Sequence, residues 1–277
     1  MEKRKFGRSN EAVSALGMGT YYDVMDTAAL GKAVPGRAEK AEGIRKGIEL
    51  GMNLIDTAEV YMTEQLVGEA IKGFRRDDLF VATKVWSSRL RHDDVLKAAL
   101  RSLDRLGCEY IDLYQVQWPN PGVPVGETMR AMERLVSEGK VRYIGVSNFG
   151  PKQVQEADEA LSKSEIVSDQ VEYSLRCRDP EAELLPYCER GNIAVVAYCP
   201  LARGELARPA GRLGECVGKL AGKYGKTPAQ VSLNWLIGRS GLVFPIPRVS
   251  RPERAVENAE AAGWSLTQDE AMLLGRC

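Results

Sequence analysis

A chain of 277 residues with 38 basic and 38 acidic side chains has no formal net charge, so no broad field draws it to nucleic acid or an anionic membrane, and any anionic ligand must be met by charge placed locally. No apolar run reaches the roughly 18 residues that span a bilayer, and the start MEKRKFGRSN lacks the apolar core of a secretory signal, which predicts a cytoplasmic protein. Six cysteines form no CxxC pair and show no metal-ligand spacing, and the single histidine, His92, leaves a zinc site short of ligands, so reduced, mostly buried thiols and no metal are expected.

Turn chemistry at Gly7 to Asn10 separates two short segments and predicts a hairpin within residues 1–13, placed to plug one end of the fold that follows. SALGMGT (14–20) reads as a first buried strand. Residues 25–37, with Gly31, Pro35 and Gly36, read as a loop before a helix over 38–50 that stops at Gly51. NLID (53–56) is the second strand. The alternation then becomes regular: helix 63–72, strand 79–85, helix 93–106, strand 110–117, helix 126–138, strand 141–147, helix 151–162, strand 166–171, helix 180–190 and strand 192–199. Two further helices, in GRLGECVGKLAGKYG and TPAQVSLNWLIG, precede an eighth strand, GLVFPI (241–246). Short strands trading places with helices are parallel βαβ units. Eight of them, in a chain near the roughly 250 residues of a (β/α)8 TIM barrel, predict that fold for 1–277 as a single domain with an N-terminal β-hairpin. An open doubly wound sheet is the competing architecture; it wants GxGxxG after a strand, and GMGT (17–20) lacks the third glycine.

Chemistry in such barrels gathers at the C-terminal ends of the strands. Here those ends carry Thr20 and Tyr21, Asp56 with Tyr61 five residues beyond, Lys84, Gln117 and Trp118, Ser147 and Asn148, Gln170, Tyr198, and Arg248 beyond Pro247. Asp56, Tyr61 and Lys84 can together make a proton donor. An ammonium beside a phenol favours the phenolate and lowers a pKa near 10, while the carboxylate keeps the lysine charged and aimed. Taken singly, each has a plain structural reading, the aspartate as a cap and the lysine as a surface charge.

The segments LGMGT (16–20), DTAEVY (56–61), ATKVW (82–86), DLYQVQWP (112–119), GVSNF (145–149), DQVEYS (169–174), YCPLARG (198–204) and PIPRVSRPERAVEN (245–258) give the chain its resemblance to the aldo-keto reductases, over almost its whole length. The resemblance implies a (β/α)8 oxidoreductase that binds NADPH without a Rossmann domain and reduces aldehydes or ketones to alcohols by hydride transfer. Asp56, Tyr61 and Lys84 would be three members of its catalytic tetrad, with Tyr61 the general acid. The fourth departs from the pattern: most of the family has histidine in this segment, and this chain has Gln117. A glutamine amide can orient a carbonyl but cannot relay a proton near neutral pH. His92, at the expected start of a helix, does not replace it. Steroid double-bond reductases resembling this chain carry glutamate there, and potassium-channel β subunits carry asparagine and turn over slowly. A slow-turnover NADP(H)-binding redox sensor or regulatory module is therefore the alternative. A barrel acting on a phosphorylated metabolite, with Arg248 and Arg254 as its clamp, is a third.

The same resemblance assigns cofactor contacts to Thr20 and Tyr21, places Ser147, Asn148 and Gln170 on the nicotinamide carboxamide, and stacks Tyr198 on its ring. Ser147 and Asn148 have a structural alternative, capping the helix that begins near Pro151. Leu201 and Arg203 match pyrophosphate contacts, and Glu257 and Asn258 match adenine contacts. Arg248 and Arg254 suit a 2′-phosphate through charge-assisted hydrogen bonds, which favours NADPH over NADH. Tyr22, Trp86 and Trp118 would line an apolar pocket for a small carbonyl substrate. Only nineteen residues follow Asn258, too few for a long C-terminal specificity loop, so an open pocket is expected.

Overall fold

The computed structural model describes residues 1–22 and 34–277; most of the loop read over 25–37 lies outside them. Short apolar runs form the strands β3 (Met18–Gly19), β4 (Leu54–Asp56), β5 (Phe80–Val85), β6 (Ile111–Val116), β7 (Val141–Ser147), β8 (Ile166–Glu172), β9 (Ala194–Tyr198) and β10 (Val243–Pro245). They make one parallel sheet in chain order. All six residues of β5 and of β6 are buried, as expected of strands covered on both faces. Alternate positions divide the core. Leu54, Phe80, Ala82, Leu113, Val196 and Phe244 fill the centre, while Val81, Val85, Tyr114 and Val195 pack in a separate layer with helix residues such as Val95, Met129 and Leu185.

The sheet closes on itself at a seam between β3 and β10. Gly19 forms a parallel bridge with Arg248, and the N–H groups of Gly17 and Gly19 donate to Pro245 O and Pro247 O, both at 2.9 Å. The seam requires glycine, since a Cβ on Gly19 would stand 2.7 Å from Ile246 O. The two seam strands are shorter than their apolar runs predict, partly because Pro245 has no N–H to offer.

At the opposite end sits the expected hairpin, β1 (Lys3–Lys5) antiparallel to β2 (Ala12–Ser14). Its turn drives Phe6 into the barrel, where the ring lies 4.9 Å from those of both Phe80 and Phe244. Asp112 on β6 anchors this end, fully buried and accepting from Arg76 at 2.6 Å, Arg142 at 2.9 Å and Val81 N at 2.9 Å.

The helices are α1 (Arg37–Glu49), α2 (Glu64–Ile71), α3 (His92–Leu106), α4 (Val125–Ser137), α5 (Pro151–Glu159), α6 (Leu184–Gly191), α7 (Gly211–Tyr224), α8 (Pro228–Ile237), α9 (Pro252–Ala259) and α10 (Gln268–Leu274). None among the described residues is long and apolar enough to cross a membrane. Two depart from expectation. α5 stops before residue 162 because Glu133 Oε1 collects the N–H groups of Ser162, Lys163 and Ser164 at 2.6 to 2.9 Å, drawing that backbone out of the helix. α6 begins at Leu184, after a separate 3-10 turn at Asp179–Glu181, so that Pro186 falls in a first turn, where no helical N–H is required.

The expectation of reduced thiols is corrected. Cys216 and Cys277 form a disulfide, and Cys108, Cys177, Cys188 and Cys199 stay outside any disulfide. Lys223 and Tyr224 of α7 both bind Glu270 of α10, which brings Cys277 to Cys216 across 61 residues of sequence. Residue spacing does not reveal such a pairing.

Asp169, on β8, is fully buried, and neither carboxylate oxygen closes a hydrogen bond. Burial raises its pKa to about 8, against a smaller lowering by the N–H groups of Phe149 and Gln170. In the unfolded chain it titrates near 4. A folded pKa above the unfolded one means stability that is full below about pH 4 and lost as pH rises toward 8. Asp169→Asn therefore raises the thermal midpoint much more at pH 8 than at pH 5, and equal gains at both would contradict the assignment.

Candidate active site

Asp56 ends β4 and pairs in register with Ala82, so Lys84, two residues further along β5, stands diagonally across from it on the same face of the sheet. Both are buried, Lys84 completely. The Lys84 ammonium donates to Asp56 Oδ1 at 2.7 Å and to Thr57 O at 2.8 Å. Burial lowers its pKa, while Asp56 and, more distantly, Glu64 hold it up. Gln170 Nε2 donates to the same Asp56 oxygen at 2.8 Å. Thr20 is also fully enclosed; its hydroxyl meets Asp56 O at 2.9 Å and Thr63 Oγ1 at 3.0 Å, and Thr63 in turn meets Thr57.

Tyr61 sits in a 3-10 turn, Glu59–Tyr61, directly after β4. Its ring lies 5.0 Å from Lys84 Nζ and 5.1 Å from the Tyr21 ring. The expected lowering of its pKa is not found. Burial and then the Asp56 carboxylate push the phenol well above its ordinary value, with smaller contributions from Tyr198, Cys199 and Tyr21. The ammonium is already committed to Asp56 and Thr57 O and lies near the ring, so the phenol stays protonated.

A residue not anticipated from sequence shapes this corner. Glu59 is buried; one oxygen accepts from Trp86 N at 2.7 Å and the other from Arg89 at 2.6 Å. It ties the loop after β4 to the loop after β5. An acid between Asp56 and Tyr61 is visible in DTAEVY, but its partners are not.

Further round the rim, polar groups bind one another. Ser147 Oγ donates to Gln170 O at 2.8 Å, and Asn148 N does so at 2.9 Å. Asn148 takes a left-handed conformation (φ 63). Its Nδ2 donates to Gln117 O at 2.9 Å and Ser147 Oγ at 3.0 Å, and its Oδ1 accepts from Tyr198 OH at 2.9 Å. Burial raises the Tyr198 phenol to about 12. Neither Ser147 nor Asn148 caps α5; Gly150 holds that position, with its N–H bound to Gln153 Oε1. Gln117 is buried at the end of β6, and its Oε1 has no hydrogen-bond partner.

Beyond the seam, Arg248 is exposed and Arg254, on α9, is ion-paired with Glu257, which also accepts from Thr227. Asn258 is fully buried, and its Nδ2 donates to Arg248 O at 3.3 Å, supporting the backbone that carries Arg248. Leu201 is half-buried and Arg203 exposed in a segment where Cys199, Ala202 and Arg203 all have positive φ. The aromatic residues divide differently from expectation. Tyr22 is packed away, with its hydroxyl on Val249 O at 2.7 Å, whereas Tyr21 is exposed against Tyr61. Trp86 is half-buried and Trp118 exposed. His92 opens α3, bonded to its neighbour Asp93.

The chain is thus a closed barrel with a buried lysine–aspartate pair below a tyrosine at its C-terminal rim. The family model for the Aldo/keto reductase family matches residues 24–277, and the chain belongs to that family. Methylglyoxal reductase YeaE of Escherichia coli is 33% identical over 268 residues, covering 96% of this chain and 91% of that protein. Glyoxal reductase of Bacillus subtilis is 36% identical over 236 residues, covering 84% and 81%. Among solved structures, a thermostable aldo-keto reductase in complex with the inhibitor epalrestat superposes with a TM-score of 0.91 at 38% identity, covering 100% of this chain and 99% of that one. An aldo/keto reductase from Klebsiella pneumoniae in complex with NADP and acetate gives 0.86 at 34% identity, covering 100% and 95%.

The Glu59 clamp yields a direct expectation. Glu59→Ala strands the Trp86 N–H and costs ~2 kcal/mol in urea denaturation, whereas Glu59→Gln, which keeps an acceptor for that N–H, costs less. Equal losses would show that the amide bond is not what the side chain supplies.

Proposed function

We propose that this protein reduces small aldehydes and ketones, α-dicarbonyls among them, to alcohols with NADPH, using Tyr61 as the general acid. The observation that carries this reading is the Lys84–Asp56 ion pair, buried directly beneath a phenol that is held protonated. The names of the relatives, which include methylglyoxal and glyoxal reductases, support the substrate class.

The donor set fits the cofactor. Ser147, Asn148 and Gln170 carry hydroxyl and amide groups suited to a neutral carboxamide, which would exchange some of their bonds within the rim for it, Tyr198 carries an aromatic face, and Arg248 and Arg254 carry guanidinium groups suited to a phosphate. Thr20 is engaged internally through its side chain, which leaves the exposed Tyr21 as the stronger contact of that pair. Leu201 and Arg203 would lie along the pyrophosphate, with Glu257 and Asn258 near the adenine. NADP and NADPH complexes of structural neighbours favour the same cofactor.

When bound, NADPH supplies a hydride; the chain's own residues supply the proton and its control. Gln117, in the position where most of the family has histidine, orients the carbonyl through its amide. Tyr61 gives its proton to the carbonyl oxygen, and Lys84 stabilises the charge left on the phenolate while Asp56 keeps Lys84 ionised. Trp86 and Trp118 cover the substrate's apolar side.

Single-turnover oxidation of bound NADPH by methylglyoxal, followed by absorbance, tests the reading. Tyr61→Phe lowers the rate by about 10²-fold or more and leaves the NADPH dissociation constant nearly unchanged. Tight NADPH binding with oxidation slower than minutes, indifferent to Tyr61, would favour a redox sensor instead.

A further inference from the structure

In a barrel of eight strands taken in chain order, β4 and β8 lie four strands apart and face each other across the mouth. No backbone ladder joins them. Yet Gln170 of β8 reaches Asp56 of β4 through a 2.8 Å hydrogen bond between residues 114 apart in sequence. Both side chains are almost wholly buried, so the contact is shielded from water, where a hydrogen bond to a carboxylate is strong.

We propose that Gln170 is a positioning residue for the catalytic ion pair, a strut across the barrel that holds Asp56 against Lys84. The inference rests on the reductase reading for its catalytic meaning but not for its geometry. Asp56 Oδ1 accepts from two sides, Lys84 at 2.7 Å and Gln170 at 2.8 Å. The Gln170 backbone carbonyl is fixed in turn by Ser147 Oγ and Asn148 N, which sets the origin of the strut. With its Nε2 end committed to Asp56, the amide keeps Oε1 as an acceptor for a ligand amide. One side chain would thus join the carboxamide side of the site to the ion pair beneath Tyr61.

The charged and titratable groups facing Lys84 are Asp56, Glu64 and Tyr61, and burial opposes its charge. A looser Asp56 supports the ammonium less well. Gln170→Leu removes the donor and lets Asp56 turn. Gln170→Glu has nearly the same volume and places a second carboxylate beside the pair.

The experiment is the titration of Lys84 Nζ, followed by ¹⁵N NMR in the protein without cofactor, for wild type and both variants. Gln170→Leu moves the titration down by about one pH unit as Asp56 turns away from the ammonium, and Gln170→Glu moves it up. Titration at the wild-type pH in both variants overturns the proposal. If Gln170→Leu fails to fold, Gln170→Asn, one methylene too short to reach Asp56, takes its place with the same downward shift expected, and a titration at the wild-type pH is equally damaging. The readout needs no turnover. Wild-type protein that never oxidises NADPH would defeat the reductase reading while the titration still judges the strut.

Discussion

A lysine buried to the last atom is the constraint around which this barrel is arranged. Removing an ammonium from water costs several kcal/mol even after the surroundings relax, and an ion pair recovers that cost only with good geometry and further hydrogen bonds. Lys84 has both, in Asp56 Oδ1 and Thr57 O. Each of these partners depends on something larger. The register of β4 on β5 sets the diagonal between Asp56 and Lys84, the Thr20 hydroxyl fixes the backbone at Asp56 while Thr57 N donates to Ala82 O, and Gln170 braces Asp56 from the far wall. A buried pair of this kind is weak evidence for stability. On the proposed reading, its position beneath Tyr61 gives it a chemical reason to persist.

The rim bears the signs of that purpose. Of the non-glycine residues with positive φ among the described residues, Met62, Asn148, Cys199, Ala202 and Arg203 all lie in loops that follow strand ends; Asn192, which terminates α6, is the exception. Each such conformation costs on the order of 1 kcal/mol or more and persists only where the surroundings hold it. At Asn148 the cause is visible: the turn lets one side chain meet Gln117 O, Ser147 Oγ and Tyr198 OH at once. The opposite end of the barrel, plugged by Phe6 and anchored by Asp112, is built for packing.

Much of this was legible in the sequence, because strand ends and their polar residues are local features. DTAEVY and ATKVW announce Asp56, Tyr61 and Lys84, and the alternation of short apolar runs with helices announces the barrel. What depends on which groups meet across space was not legible. The phenol was expected to be acidified by its lysine, but that lysine is claimed by Asp56, and burial raises the Tyr61 pKa instead. Tyr21 and Tyr22 are adjacent in sequence, so only the direction of the strand end decides which one reaches Tyr61. The Cys216–Cys277 bridge and the Gln170–Asp56 strut join residues 61 and 114 positions apart, beyond any local pattern. Seam strands shortened at Gly19 and Pro245 follow from closure, which a linear reading does not contain.

The most direct test of the central claim, that the ion pair is kept for chemistry and adds little to stability, is a double-mutant cycle on Lys84→Met and Asp56→Leu with unfolding free energy and NADPH oxidation both measured. Each single variant should lose roughly 3–5 kcal/mol by leaving an unpaired buried charge, and the double variant should recover most of that loss while remaining inactive. A double variant as unstable as the sum of the singles, or one that still reduces methylglyoxal at the wild-type rate, would contradict the account.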